Sequence, residues 1–164
     1  MKIIEVKAED LKLLKNPGIL CISPYPDHPN GCPNYGRLGD CPPNSPAVWR
    51  HFDAQLPLCL VIYCFDLGRH MNVMKKRHPE WSDRQLRNCY YWQNGVRAGL
   101  KRECKRLCSS RGYDTFTLKP EAMGVNLFGT MRKFGIKLKR NPTDIVYKIA
   151  LVGHKKQKKQ RWRF

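Results

Sequence analysis

Leu56–Phe65, LPLCLVIYCF, is the stretch on which the fold turns. It is a nearly continuous apolar run, rich in β-branched and aromatic residues, and too short for a long helix. That pattern predicts a central strand buried on both faces. Cys59 and Cys64 lie at odd separation in it, so they face opposite sides. Cys59 reads as a small core residue, whereas Cys64, near the strand end, stays open as a ligand. Working outward, Ile145–Val152 (IVYKIALV) is the other clear strand, ended by Gly153, while Lys2–Val6 alternates like an edge strand and Tyr113–Lys119 like a further one. Glu9–Lys15 reads as a helical turn or two. Asp66–His78 reads as a helix with a basic end at Lys75, Lys76 and Arg77, closed by Pro79. Ser82 and Gln85 form a capping box that opens a longer helix over 82–108. Leu86, Cys89, Val96, Leu100, Cys104 and Leu107 make its apolar stripe, with the arginines and lysines largely elsewhere. Pro120 and Glu121 start a last helix that runs to Phe134, with Gly124 and Gly129 as weak points. The expectation is one α/β or α+β domain over 1–153, a central mixed sheet of three or four strands with packed helices and a metal-binding loop at one end. Residues 154–164 form a basic tail.

The loop is Cys21–Pro46, CISPYPDHPNGCPNYGRLGDCPPNSP, with no apolar periodicity. A loop of this length inside a compact domain needs something to offset its ordering entropy. Cys21, Cys32 and Cys41 supply that tie through a metal. Their intervals are longer than the C-x2-C knuckle of zinc ribbons, and both later cysteines precede proline, an arrangement found in iron-sulfur ligand runs. Three thiolates suit a [4Fe–4S] cluster with a fourth ligand from elsewhere or with one iron open; zinc is the alternative, with His28 in reach as its fourth ligand. Reduced, unligated cysteines are the third reading. Cys89, beside Tyr90, Tyr91, Trp92 and Gln93, is the candidate fourth ligand; Cys104 reads as core.

The 164 residues carry 31 Lys and Arg against 13 Asp and Glu, a formal charge of +18. That balance implies a polyanionic partner, with nucleic acid ahead of an anionic membrane surface. Candidate phosphate contacts are Arg97, Lys101 and Lys105 on the long helix and Lys155, Lys156, Lys158, Lys159, Arg161 and Arg163 in the tail. Trp162 in the tail, with Tyr91 or Trp92, would stack on unpaired bases, which favours RNA over DNA. The charged start of the chain resembles no signal peptide and no apolar run spans a bilayer, so the reading is a cytoplasmic protein without a membrane partner. There the eight cysteines are ligands or core rather than disulfides.

Cys32-Pro33-x-Tyr35-Gly36 followed by Cys41-Pro42-Pro43 resembles the amino-terminal signature of a family of small bacterial and archaeal proteins described as predicted metal-binding proteins. Glu121-Ala122-x-Gly124-Val125-Asn126, through Thr130 and Gly135, resembles its carboxy-terminal signature. The central region departs from it, with a long basic helix where that family has a compact ferredoxin-like set of cysteines. The resemblance implies metal binding at Cys32 and Cys41 and names no reaction. Three functions remain in view. One is an iron-sulfur protein acting on RNA, for instance in base or sulfur modification. The second is a non-enzymatic nucleic-acid-binding module, or a subunit of a ribonucleoprotein or polymerase assembly, with a structural zinc or cluster. The third is an electron-transfer or metal-delivery protein. The chain has no G-x-x-x-x-G-K-[ST], no G-x-G-x-x-G and no H-x-E with P-C-x-x-C, and its carboxylates are scattered, which leaves nucleotide hydrolysis, dinucleotide binding, zinc deamination and two-metal nuclease chemistry without their usual scaffolds.

Overall fold

A computed structural model of the chain describes residues 1–24 and 28–157. Four strands, β1 (Lys2–Val6), β2 (Leu58–Asp66), β3 (Thr115–Thr117) and β4 (Ile145–Gly153), form one sheet in the order β1-β2-β4-β3. Every pairing is antiparallel, so the fold is α+β; the mixed sheet expected from the sequence has no parallel pair among the described residues. β2 and β4 run alongside each other from Cys59 opposite Val152 to Asp66 opposite Ile145. They are the two stretches with the longest apolar runs.

Antiparallel sheets usually leave one face to water, which would give alternation rather than a continuous run. Here both faces are covered. On one side Leu58, Leu60, Ile62, Ile149 and Leu151 pack with Val48, Phe52, Met123, Val125 and Met131. On the other, Cys59, Val61, Ala150 and Val152 pack against Leu100, Cys104, Leu107 and Tyr113. The helices responsible are α2 (Val48–His51) and α6 (Leu127–Lys133) on the first face and α5 (Gln93–Arg111) on the second. The remaining helices are α1 (Ile19–Ile22), α3 (Leu67–Arg77) and α4 (Asp83–Leu86). Asp66 caps α3 by accepting the Arg69 amide N–H at 2.8 Å, as the expected helix over 66–78 requires.

Three expectations need correction. The helix expected over 82–108 is two helices, α4 and α5, separated by a 3-10 turn at Cys89–Tyr91. Asn88 causes the break, because its side chain accepts the Tyr90 amide N–H at 3.0 Å, an Asx turn that competes with the helical ladder. Cys89 therefore leaves the apolar stripe and is exposed, while Val96, Leu100, Cys104 and Leu107 keep it. The helix expected over 120–134 divides likewise into a 3-10 turn, Pro120–Met123, and α6, with Gly124 at φ 95° between them. Glu9–Lys15 holds only the 3-10 turn Ala8–Asp10.

The tail begins later than Gly153. Lys155 bridges to Phe52, and the Lys156 amide N–H donates to the His51 carbonyl at 2.8 Å. Lys158, Lys159, Arg161, Trp162 and Arg163 lie outside the described residues. Among the described residues no helix is long and apolar enough to cross a membrane.

Candidate metal centre and its charged neighbourhood

β3 pairs only with Leu151–Gly153, so it leaves the rest of that edge of β4 without a strand partner among the described residues. The 3-10 turn Pro120–Met123 packs against β4 there and the cysteine loop docks on that turn. The loop is folded by its own backbone. The Cys32 N–H donates to the Cys21 carbonyl at 2.7 Å, the Tyr35 N–H to the Cys32 carbonyl at 3.1 Å, and the Gly36 N–H to the Pro42 carbonyl at 2.8 Å. Gly31 makes the first of these contacts possible. Its φ is +77°, and a Cβ at this position would fall onto the Cys21 carbonyl oxygen.

Two anchors hold the second half of the loop. Ser45 Oγ donates to the Ala122 carbonyl, and Lys119 Nζ donates both to Asp40 Oδ1 at 2.7 Å and to Cys41 Sγ at 3.4 Å. Burial works against the Lys119 ammonium, but its bonds to Asp40 and Cys41 outweigh that and raise its pKa. The same bond from Lys119 holds the Asp40 carboxyl below the ordinary range.

The structure brings Cys21, Cys32 and Cys41 into one neighbourhood. Burial first, and then the nearness of Cys32, Cys41 and Glu121, pushes the Cys21 thiol up. Cys21 and Cys32 line one cavity together with His28, the residue expected to complete a zinc site. The chemistry at Cys41 suits a thiolate, since the Lys119 ammonium already donates to its sulfur and would offset negative charge there. Among the described residues no three His, Cys, Asp or Glu side chains stand close enough together to hold a single metal ion. Cys89 is exposed and lines a different cavity from Cys21 and Cys32, with His28 common to both. Cys64 is exposed and Cys104 is buried in the core, as its place on the stripe predicts.

Reading the sequence for ligands missed a second group beside the thiols. Lys148 interrupts the apolar run of β4, and the charge of Glu121 on the 3-10 turn acts on it, with Arg97 and Lys119 in the same field. Burial pushes the Lys148 amine down, and Arg97 and Lys119 add to this against Glu121 and Cys89. Burial pushes the Glu121 carboxyl up, against the three cations. Glu121 keeps contact with solvent through the cavity of about 230 Å³ that it lines. Its side chain is exposed, so the upward push is small. A lone lysine in IVYKIALV was the available signal.

Of the expected phosphate contacts, Arg97, Lys101 and Lys105 are exposed along α5. Arg97 is the one of these whose charge acts on Glu121 and Lys148. Lys155 and Lys156 are also exposed, though Lys156 Nζ donates to the Trp49 carbonyl at 3.1 Å. Comparison with protein-family models, with curated proteins and with solved structures gives no match to this chain.

Proposed function

We propose that the chain is an iron-sulfur protein that binds nucleic acid, with RNA favoured, and that Cys21, Cys32 and Cys41 hold a [4Fe–4S] cluster. The observation that carries this reading is the nearness of three thiols from one long loop, Cys32 and Cys41 both acting on Cys21, with the half-buried Lys119 ammonium donating to Cys41 Sγ at 3.4 Å. The likeness of Cys32-Pro33-x-Tyr35-Gly36 and Cys41-Pro42-Pro43 to the signature of predicted metal-binding proteins supports it, and the charge of +18 supports the polyanionic partner. When bound, such a cluster supplies an electron-transfer centre or, at an iron without a protein ligand, a Lewis acid. The chain itself would supply the thiolates and the Lys119 hydrogen bond that stabilises the one on Cys41.

A zinc site is the second reading, favoured by one observation: His28 lines the same cavity as Cys21 and Cys32. Anaerobic purification followed by an absorption spectrum and iron, sulfide and zinc analysis separates the two. The cluster predicts a broad band near ~400 nm and roughly four irons and four sulfides per chain. Cys41→Ser should abolish both while leaving the protein folded. A colourless protein with about one zinc per chain, lost on His28→Ala, would establish the second reading instead.

A further inference from the structure

The surface beside Cys89 carries features that the metal centre does not use. α4 and the turn after it place Arg84, Arg87, Cys89 and Trp92 along one wall of a cleft of about 420 Å³, and Arg140 and Asn141 form part of the other. Arg87 Nη1 donates to Asn141 Oδ1 at 2.8 Å, which fixes the guanidinium across the cleft. Its Nε–H is buried without a hydrogen-bond partner among the described residues. A guanidinium already held across the cleft by Asn141 can meet an anion with little further loss of side-chain freedom. Arg84 and Arg140 add two exposed cationic side chains at the same opening.

Aromatic rings continue from this cleft over the surface. Trp81 stacks on His78 with centroids 4.0 Å apart, Tyr91 follows Trp81 at 5.1 Å, and Tyr90 meets Tyr91 edge-on at 5.8 Å. Trp92 lies flat on Phe65 at 4.6 Å. The outermost rings are open, with Tyr90 79% and Tyr91 50% exposed. Rings of this size are normally buried, and here the Asx turn at Asn88 turns them outward. The combination of fixed guanidinium, flanking arginines and exposed rings at one site matches what an unpaired nucleotide offers, a phosphate and a π-face. A base paired within a duplex could not reach the rings.

We propose that this cleft binds single-stranded nucleic acid, with Arg84, Arg87 and Arg140 on the phosphates and Tyr90 and Tyr91 as the platform for its bases. The inference deepens and rests on the nucleic-acid reading above, and it moves the contact from the outer face of α5 to the α4–α5 junction. It also gives the strand a course. His28 lines this cleft as well as the cavity that holds Cys21 and Cys32, so a strand lying in the cleft runs past the thiol loop.

The test is fluorescence anisotropy with labelled single-stranded RNA, single-stranded DNA and duplex oligonucleotides of equal length, on protein purified with the metal it retains. Arg84 and Arg140 are exposed, and a thermal melt of Arg84→Glu/Arg140→Glu checks that the variant is folded. The proposal expects this variant to weaken single-strand binding about tenfold or more and to flatten its salt dependence by about one unit of slope per lost contact. Tyr90→Ala/Tyr91→Ala should also weaken it roughly tenfold, with an unchanged salt slope, because stacking releases no counterions. Lys101→Glu/Lys105→Glu on α5 should change it less than about threefold. If the wild type binds single strands and the α5 variant takes the loss while the cleft variants do not, the cleft assignment is overturned and the nucleic-acid reading stands. If duplex binds more tightly than either single strand, the assignment is likewise overturned. A wild type that binds none of the oligonucleotides at low salt overturns both. Comparison of the RNA and DNA arms tells which sugar the cleft accepts.

Discussion

Eight cysteines in one chain hold very different environments, and the differences are chemical rather than positional. Burial pushes the Cys59 thiol up to about 11 and the Cys104 thiol up to about 12, the latter with Cys108 and Cys59 adding to it. Both face the core side covered by α5. At pH 8 they are neutral and shielded, and a thiol that is not ionised is a poor nucleophile. Cys64 and Cys89 are exposed. A brief iodoacetamide treatment of the native, metal-loaded protein is therefore expected to alkylate Cys64 and Cys89, to spare Cys59 and Cys104, and to reach Cys21, Cys32 and Cys41 only after chelation. Peptide mass spectrometry reads the outcome. Protection of Cys89 until chelation would make it the fourth ligand, and labelling of Cys104 in folded protein would contradict its burial. The sequence separates these classes only in part. Cys59 and Cys104 are legible as core because their neighbours repeat at strand and helix periods. Cys89 is not, because it also fits the helical period and only the side-chain bond from Asn88 to Tyr90 removes it from the helix.

At the scale of elements, β2, β4, α3 and the buried stripe of α5 are legible because each is long and strongly periodic or strongly apolar. The elements that build the site are short: α1, α4 and two 3-10 turns, whose existence depends on caps and tertiary contacts more than on local propensity. The meeting of Lys148 with Glu121 is illegible for a related reason. It follows from β3 being only Thr115–Thr117, which leaves the edge of β4 to a 3-10 turn. The loop shows how one residue sets the geometry of such an element. Gly31 and Gly36 both have positive φ, +77° and +71°. A methyl group at Gly36 meets nothing within 4 Å, whereas one at Gly31 collides with the backbone of Cys21 and Ile22. Gly36→Ala should cost about 1 kcal/mol, the ordinary penalty for a left-handed non-glycine residue. Gly31→Ala adds the collision and separates the Cys32 N–H from the Cys21 carbonyl. It is expected to lose most of its bound metal while Gly36→Ala retains it, as metal analysis per folded chain would record. Equal metal content in both variants would mean that the pairing of Cys21 with Cys32 is unnecessary for binding.

Over the whole molecule the site and the core are separate constructions. The two clusters that sandwich the sheet draw on β1, β2, β4, α2, α5, α6 and the turns near them, and neither includes a described residue of the loop from Cys21 to Pro46. Small metal domains that are unfolded without their ion have no such core, and their binding energy is their folding energy. Here the loop is fastened to the body at Ala122 through Ser45 and at Lys119 through Asp40 and Cys41. The salt bridge from Lys119 to Asp40 is partly exposed, so it adds at most about 1 kcal/mol. Removal of a metal held by the loop would therefore free the loop without dismantling the sheet. Chelated protein is expected to melt in one cooperative transition within about 10 °C of the loaded form, given that ~1 kcal/mol shifts the midpoint of a chain this size by about 2–4 °C. Far-ultraviolet circular dichroism should keep its helix and strand signal, while limited proteolysis should begin to cut between Cys21 and Pro46. Global unfolding on chelation would mean that the loop stabilises the sheet through contacts beyond these anchors, and that metal binding and folding are one equilibrium.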